Sequence, residues 1–193
     1  RIACATRNAD GIWGKSSVVI RRFECGGETW IPETAVPVVQ PDGRPRLYFW
    51  AAPLSGYSLQ DDPRTIELRP ACFWIPANTL TVEGRAWGRN ICTAQLFTSP
   101  LENDVAVDPQ HLLDEIGTVL YGRAVKLQSG KWVLPLHMHV GNAWEKAPAR
   151  GRYLIADENQ ENWRLSGADV YGEPGCSRPV IVQLPTGEVI SYL

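Results

Sequence analysis

The sequence predicts an all-β protein, and three segments that share one pattern carry that prediction. Each segment has an apolar run, a short turn that ends in glycine, and a second apolar run. The three segments are residues 38–49, 124–134 and 180–190. Asp-Gly, Ser-Gly and Thr-Gly permit the positive φ of tight hairpin turns, and the β-branched and aromatic flanks favour extended backbone. Each segment is therefore predicted as a β-hairpin with a two-residue turn, and the recurrence indicates a repeat architecture.

The composition agrees with a chain of strands and turns. The 193 residues include 8 Trp, 15 Pro and 17 Gly but a single Met. Long helices disfavour Gly and Pro, whereas aromatic residues favour strands. With 44% apolar and 21% charged residues, the chain has the composition of a globular protein. We expect a single domain over residues 1–193.

Charge and hydropathy exclude several classes of function. The net charge of −2 comes from 19 basic and 21 acidic residues, so no overall field attracts nucleic acid or an anionic membrane. No apolar run approaches the ~20 residues of a membrane-spanning helix.

The cysteines indicate no metal or redox site. Five cysteines are scattered along the chain without a C-x-x-C spacing, namely Cys4, Cys25, Cys72, Cys92 and Cys176. This pattern predicts buried thiols and leaves one or two disulfides open. No metal and no cofactor are therefore predicted.

The remaining elements follow from local patterns. Further strands are predicted near residues 1–6, 16–22, 71–75, 91–97, 132–140 and 152–156. Residues 56–70 are polar and interrupted by proline, which predicts a surface excursion, and the irregular insertion is expected to cover residues 56–108. A single short helix is predicted over residues 108–116, with Asp108 as N-cap and Pro109 in its first turn. Because the chain lacks an initiator Met and ends inside a predicted strand, we expect a fragment of a longer fold.

One segment resembles a known repeat. Residues 21–30 resemble the Asp-box, or BNR repeat, of the sialidase superfamily, whose pattern is Ser-x-Asp-x-Gly-x-Thr-Trp. Gly27, Thr29 and Trp30 match this pattern, whereas Phe23 and Cys25 stand in place of its Ser and Asp. The side-chain hydrogen bonds that normally close the turn are therefore expected to be missing.

A second, weaker copy of the Asp-box pattern covers residues 156–163 and ends on Trp163. In their order along the chain, the hairpins and these boxes resemble the middle blades of a sialidase-like β-propeller. The resemblance implies a partial propeller of about three to four antiparallel blades. An unrelated β-sandwich or barrel is the alternative fold.

The resemblance also implies a chemistry. Family members cleave terminal sialic acid with a Tyr nucleophile paired with a Glu, an Asp acid/base on a loop, and Arg side chains that hold the substrate carboxylate. Asp10 lies where the family has its acid/base loop, and Arg7 and Trp13 lie beside it as candidates for substrate binding. The other interpretation is that Asn8 and Asp10 only build a turn.

Candidates also lie towards the end of the chain. Arg178 occupies the position of the family's Glu, so Glu173, five residues earlier, is the second catalytic candidate. Arg178 is interpreted as an anion clamp or as a side chain that covers a blade edge. Arg123, at the start of a hairpin, is a further candidate for substrate binding.

Two histidines are expected to share one face of a strand. His137 and His139 are two residues apart, and successive side chains of a strand point to opposite faces. No third metal ligand lies at a suitable spacing, so we expect sugar contact or packing.

The resemblance implies an exo-glycosidase that acts on a terminal acidic sugar of a glycan, in a secreted or periplasmic location. Two other functions stay open. The first is a propeller without catalytic activity that binds glycans or proteins. The second is a propeller polysaccharide lyase or another glycosidase that uses the histidine pair together with Arg178.

Overall fold

The computed structural model describes residues 1–54, 57–60, 81–82, 85–89, 94–113, 115, 117–120, 122–139, 149–167 and 179–192. Regular structure in these ranges consists of β-strands, and none of them contains an α-helix, so the predicted all-β class is confirmed. No helix in the same ranges has the length and hydropathy needed to cross a bilayer.

The strands are β1 (Ile2–Cys4), β2 (Ser17–Ile20), β3 (Phe23–Cys25), β4 (Glu28–Val39), β5 (Pro45–Pro53), β6 (Tyr57–Gln60), β7 (Thr81–Val82), β8 (Arg85–Arg89), β9 (Gln95–Glu102), β10 (Val105–Ala106), β11 (Gln110–His111), β12 (Thr118–Leu120), β13 (Val125–Lys126), β14 (Trp132–His139), β15 (Ala149–Ala156), β16 (Arg164–Leu165), β17 (Val180–Gln183) and β18 (Val189–Tyr192).

The central sheet is antiparallel, in the order β10-β9-β5-β4-β3, with β11 also paired to β9. A second sheet has the order β12-β14-β15-β16, with β13 also paired to β14. Strands β1 and β2 form one two-stranded sheet, and β17 and β18 form another.

Strand β5 is buried on both faces. On one face Tyr48, Trp50 and Ala52 pack with side chains of the second sheet, such as Leu134 and Leu154. On the other face lie Leu47, Phe49 and Ala51, which pack under β2 and beside the aromatic residues of the central sheet. Since successive side chains of a strand alternate between faces, one strand serves both cores.

The core under β2 contains an aromatic cluster. Phe97 contacts Phe23, Trp30 and Phe49 with ring centroids 5.0, 4.8 and 5.8 Å away. Phe49 and Phe97 have no exposed surface. Truncation of such a side chain to alanine typically costs about 3–5 kcal/mol, so this cluster is a main source of stability.

All three predicted hairpins are present, with one difference in their turns. In the first hairpin, Gln40 N donates to Arg44 O at 2.8 Å and Gly43 N donates to Gln40 O at 2.9 Å. The loop therefore has three residues rather than the predicted two, and its glycine is the last residue of a four-residue turn. The turns that end at Gly130 and Gly187 have the same two bonds, and all three glycines have φ between 82° and 89°. Glycine occupies this left-handed position without steric cost.

The predicted helix at 108–116 is wrong for the residues that the structure describes. Asp108 has a φ of +47°, so it does not act as a helix N-cap. Gln110 and His111 pair with β9, and the His111 ring lies 4.3 Å from the Phe97 ring. Tertiary pairing thus overrides a local helix signal, which is intrinsically weak in a short segment.

The stretch predicted as an excursion, 56–108, contributes to two sheets. Strands β6, β8 and β7 form a three-stranded sheet, whereas β9 and β10 belong to the central sheet. The predicted strand at 71–75 lies outside the described residues, as do Cys72, Cys92 and Cys176.

Cys4 and Cys25 are free thiols, half-buried against the central sheet.

Gly122 lies where the second sheet meets the last hairpin. A Cβ atom at this position would collide with the ring of Pro135 and lie 3.1 Å from the carbonyl oxygen of Pro179. The chain therefore requires glycine at this position for packing.

We expect the substitution Gly122→Ala to lower the free energy of unfolding by about 1–3 kcal/mol, because an inserted methyl group must displace a proline ring and a neighbouring strand. Urea denaturation measures this change. Gly167→Ala is the matched control, since a Cβ at Gly167 meets no atom within 4 Å. Equal stability of the two variants would contradict the packing argument.

Candidate functional site

A polar cavity of about 480 Å³ opens between the β4–β5 turn of the central sheet and the β15–β16 turn of the second sheet. We call it the pocket. The lining side chains used below are Asp42, Arg44, Arg46, Tyr48, Gln160 and Trp163. Aromatic, amide, carboxylate and guanidinium groups thus converge on one concave surface, as is typical of sites for polar ligands.

The alternation of β5 positions two of these side chains. Arg46 and Tyr48 lie on the face that meets the second sheet, towards the turn end of the strand. Tyr48 is 1% exposed, and its ring meets Trp163 edge to face, with 5.2 Å between the ring centroids. Arg46 Nη1 donates to Thr98 Oγ1 at 3.4 Å across β5 and β9.

Gln160 joins the two sheets at the pocket. The Tyr48 hydroxyl donates to Gln160 Oε1 at 3.3 Å, and Gln160 Nε2 donates to the carbonyl oxygen of Val39 at 2.9 Å. The residue is 4% exposed and has a φ of +60°. A non-glycine residue in the left-handed region is uncommon, so the surrounding contacts must hold it there.

The turn at Gln160 is a fourth copy of the hairpin turn. Gln160 N donates to Asp157 O at 3.1 Å, and Gln160 occupies the position that glycine occupies in the other copies. The Asp157 carboxylate accepts hydrogen bonds from the backbone N–H groups of Glu161 at 2.9 Å and Asn159 at 3.2 Å. These bonds, the Glu161 bond first, hold the pKa of Asp157 below its usual value of 3.8.

The surroundings of Tyr48 have opposing effects on the pKa of its hydroxyl group. Burial raises the pKa of the Tyr48 hydroxyl, whereas the Trp163 N–H, the Arg46 charge and the Thr98 hydroxyl oppose the rise. Burial is the largest of these effects, so the phenol stays protonated and serves as a hydrogen-bond donor.

An ion pair stands at the mouth of the pocket. The guanidinium of Arg44 contacts the Asp42 carboxylate at 2.6 Å, and both groups are exposed. The backbone N–H of Arg44, and then its guanidinium, lower the pKa of Asp42. An exposed pair of this kind adds little stability, so its main effect is to keep the Asp42 carboxylate charged at the pocket mouth.

Two donor atoms of pocket-lining residues have no hydrogen-bond acceptor of good geometry in the described part of the chain. They are Arg46 Nε and Trp163 Nε1, and both atoms are buried from solvent. The Trp163 indole N–H lies near the Tyr48 hydroxyl and lowers its pKa, although the two groups do not have the geometry of a hydrogen bond. Unsatisfied buried donors are rare, and a bound water or ion is one of the usual reasons for them.

The structure brings together three of the residues that the sequence singled out. Arg7, Asp10 and Trp13 lie on an exposed hairpin, where Arg7 pairs with Trp13 and Arg7 Nε donates to Gly11 O at 2.8 Å. Asn8 and Gly11 make the same turn bonds as the other copies. Asp10 is exposed in the turn, and Trp13 is 65% exposed.

Of the other candidates, Arg123, His137 and His139 belong to the part of the chain around the second sheet. Arg123 is exposed between β12 and β13. His137 is 2% exposed and faces away from Leu134 and Leu136 of β14, while His139 ends the same strand. Glu173 and Arg178 lie outside the described residues. No group of three or more His, Cys, Asp or Glu residues in the described ranges is arranged to hold a metal ion.

The turn that resembles an Asp-box has contacts of its own. Gly26 and Gly27 both have positive φ and close a two-residue turn between β3 and β4. Thr29 Oγ1 donates to Glu24 Oε1 at 2.5 Å, and Trp30 Nε1 donates to Cys25 O at 3.0 Å. Other side chains therefore close this turn in place of the bonds expected to be missing.

The pocket residues were missed by the sequence analysis. Tyr48 and Gln160 are 112 positions apart, and no local pattern joins them. A signal existed in the turn at 157–161, where an aspartate begins a segment that resembles the other hairpin turns. The glutamine at its left-handed position hid that likeness.

Comparisons with known proteins show the fold alone. A solved structure from Dyadobacter fermentans, described as a protein of unknown function, matches 98% of this chain with a TM-score of 0.55 and 12% identity. The chain spans 50% of that protein's length. No family model matches, and no curated protein matches.

The lowered pKa of Asp157 predicts how the stability of the protein changes in acid. Because its pKa is lowered in the folded state, the carboxylate stabilises the fold above its ordinary pKa of 3.8, and this contribution disappears as the pH falls through the lower folded value. We expect the stability of the unaltered protein to fall below about pH 4 more steeply than that of Asp157→Asn. Thermal unfolding at a series of pH values measures both slopes. Identical slopes would show that the stability of the fold does not depend on the charge of Asp157.

Proposed function

We propose that this chain forms part of a sialidase-like β-propeller and that its pocket binds a glycan bearing an acidic sugar. The proposal rests on one observation above the others. The pocket is lined by the guanidinium groups of Arg44 and Arg46 and by the aromatic pair of Tyr48 and Trp163. A sugar offers hydroxyl or carboxylate acceptors together with an apolar C–H face, so it suits both kinds of lining group.

The arrangement of the sheets supports a propeller. Strands β1 and β2 pack on the central sheet, the central sheet packs on the second sheet, and the second sheet contacts the β17–β18 hairpin. Antiparallel sheets that follow one another in chain order and pack face to face are what successive blades require. Radial closure around a channel is part of the proposal.

The electrostatics of the pocket favour binding over catalysis. Burial raises the pKa of Tyr48, so this phenol is a poor nucleophile without a base. Asp42 has a lowered pKa and is paired with Arg44, so it is a poor proton donor near neutral pH. The pocket therefore suits recognition by hydrogen bonds and stacking.

Calorimetric titration with sialyllactose and with lactose tests this proposal, because the two sugars differ by the acidic unit. We expect sialyllactose to bind more tightly to the unaltered protein, and Arg46→Met to weaken sialyllactose about tenfold or more, since a hydrogen bond to a charged group is lost. Arg164→Met is the matched control, because Arg164 is exposed on β16 and does not line the pocket. Equal binding of the two sugars, or no binding of either, rejects the acidic-sugar proposal.

Hydrolysis of a terminal acidic sugar is the second candidate function, and the exposed hairpin at Asp10 favours it. There a carboxylate, a guanidinium and an exposed indole lie within a few residues of one another, with Trp13 available to stack on a sugar. Asp10 would donate a proton to the leaving oxygen, and Glu173 would assist the nucleophile.

A fluorogenic sialoside tests this second candidate. If the protein is a hydrolase, Asp10→Asn should lower kcat/KM by about 10²-fold or more through loss of the general acid. Asp104→Asn is a suitable control, since Asp104 is an exposed turn residue on another hairpin. Absence of turnover by the unaltered protein rejects the hydrolase candidate.

A further inference from the structure

The ion pair between Asp42 and Arg44 uses only one oxygen of the carboxylate. Arg44 Nε donates to Asp42 Oδ2 at 2.7 Å, and Arg44 Nη2 lies 2.6 Å from the same oxygen. The other oxygen, Oδ1, accepts the backbone N–H of Arg44 at 3.0 Å. A guanidinium pairs best with a carboxylate through two parallel bonds, one to each oxygen. Because the turn engages Oδ1, Asp42 cannot offer this arrangement to Arg44.

Little else restrains the Arg44 side chain. It is 82% exposed, and within the described ranges its side-chain hydrogen bonds are made to Asp42. Glu102 acts on the guanidinium through its charge. Since exposed ion pairs contribute little free energy, the long Arg44 side chain can leave Asp42 at low cost.

The turn itself does not require an arginine at position 44. The bond made there uses the backbone carbonyl oxygen, which any residue supplies. In the other copies of the turn, the residue that follows the left-handed position is Ile12, Lys131, Glu161 or Glu188. The Arg44 guanidinium is therefore not committed to the turn and is available to a ligand of the pocket, which it lines.

The charged groups that line the pocket balance one another. They are the guanidinium groups of Arg44 and Arg46 and the carboxylates of Asp42 and Glu161. A ligand carboxylate is attracted by the first two groups and repelled by the last two. Asp42 opposes such a ligand in a second way, because it also occupies the Arg44 guanidinium.

We propose that Asp42 sets how strongly the pocket prefers acidic over neutral ligands, because it holds Arg44 until a ligand carboxylate replaces it. This inference rests on the proposed function and concerns the same pocket. On binding, the Arg44 guanidinium leaves Asp42 Oδ2 and pairs with both oxygens of the ligand carboxylate. Asp42 Oδ1 keeps the backbone N–H of Arg44, so the turn stays closed. A neutral sugar carries no carboxylate and leaves the ion pair intact.

Calorimetric titration of the chain with sialyllactose and with lactose tests the inference. Asp42→Asn removes the charge and keeps an oxygen that accepts the Arg44 N–H. We expect this variant to bind sialyllactose about two- to fivefold more tightly, the range that corresponds to an exposed ion pair, and lactose with unchanged affinity. The gain should shrink in about 1 M NaCl, where the Debye length is about 3 Å.

Glu188→Gln is the matched control, because it removes one negative charge from a turn of the same kind and Glu188 does not line the pocket. It should leave the affinity for both sugars unchanged. Arg44→Met should weaken sialyllactose and leave lactose unchanged, and it decides the matter if Asp42→Asn fails to fold.

Three results overturn the inference. They are weaker binding of both sugars by Asp42→Asn, an equal gain in Glu188→Gln, and unchanged sialyllactose binding by Arg44→Met. A preference of the unaltered protein for sialyllactose, without a gain in Asp42→Asn, rejects this inference and leaves the proposed function standing. If neither sugar binds to the unaltered protein or to the variants, the proposed function and this inference are rejected together.

Discussion

The burial of β5 on both faces is the constraint on which the rest of the structure depends. From Leu47 to Ala52 every residue is at most 4% exposed, so the strand belongs to two cores at once. Neither core can be built unless strands cover both faces of the central sheet. The β1–β2 pair covers one face and the second sheet covers the other, which explains why the sheets occur as a packed series.

The pocket follows from the same constraint. Towards its turn end, β5 leaves the cores, and the face that carries Trp50 and Tyr48 in the interior carries Arg46 at the boundary. The Tyr48 ring stays packed against Trp163, while its hydroxyl reaches Gln160. The pocket is therefore the polar continuation of an apolar interface, and its shape is set by how the two sheets pack.

The sequence predicted local features well and distant ones poorly. The three hairpins were predictable because each glycine occupies a left-handed position that other residues avoid. The length of the turns was not predictable, since an Asp-Gly pair fits a two-residue turn and also the end of a three-residue loop. The helix at Asp108 failed because pairing of Gln110 and His111 with β9 outweighs a short helical signal. The pocket was hidden because its members come from separate strands and join only through packing.

Gln160 illustrates why one turn has a residue other than glycine at its left-handed position. A glycine would accept a φ of +60° without the cost of about 1–2 kcal/mol that a side chain incurs in the left-handed region. Glycine would also leave the Tyr48 hydroxyl and the Val39 carbonyl without their present partner, and for the buried Tyr48 hydroxyl such a loss costs about 1–3 kcal/mol. The two hydrogen bonds together offset the backbone strain. The same bonds fix the distance between the β4–β5 turn and the β15–β16 turn, so the strained residue determines how wide the pocket opens.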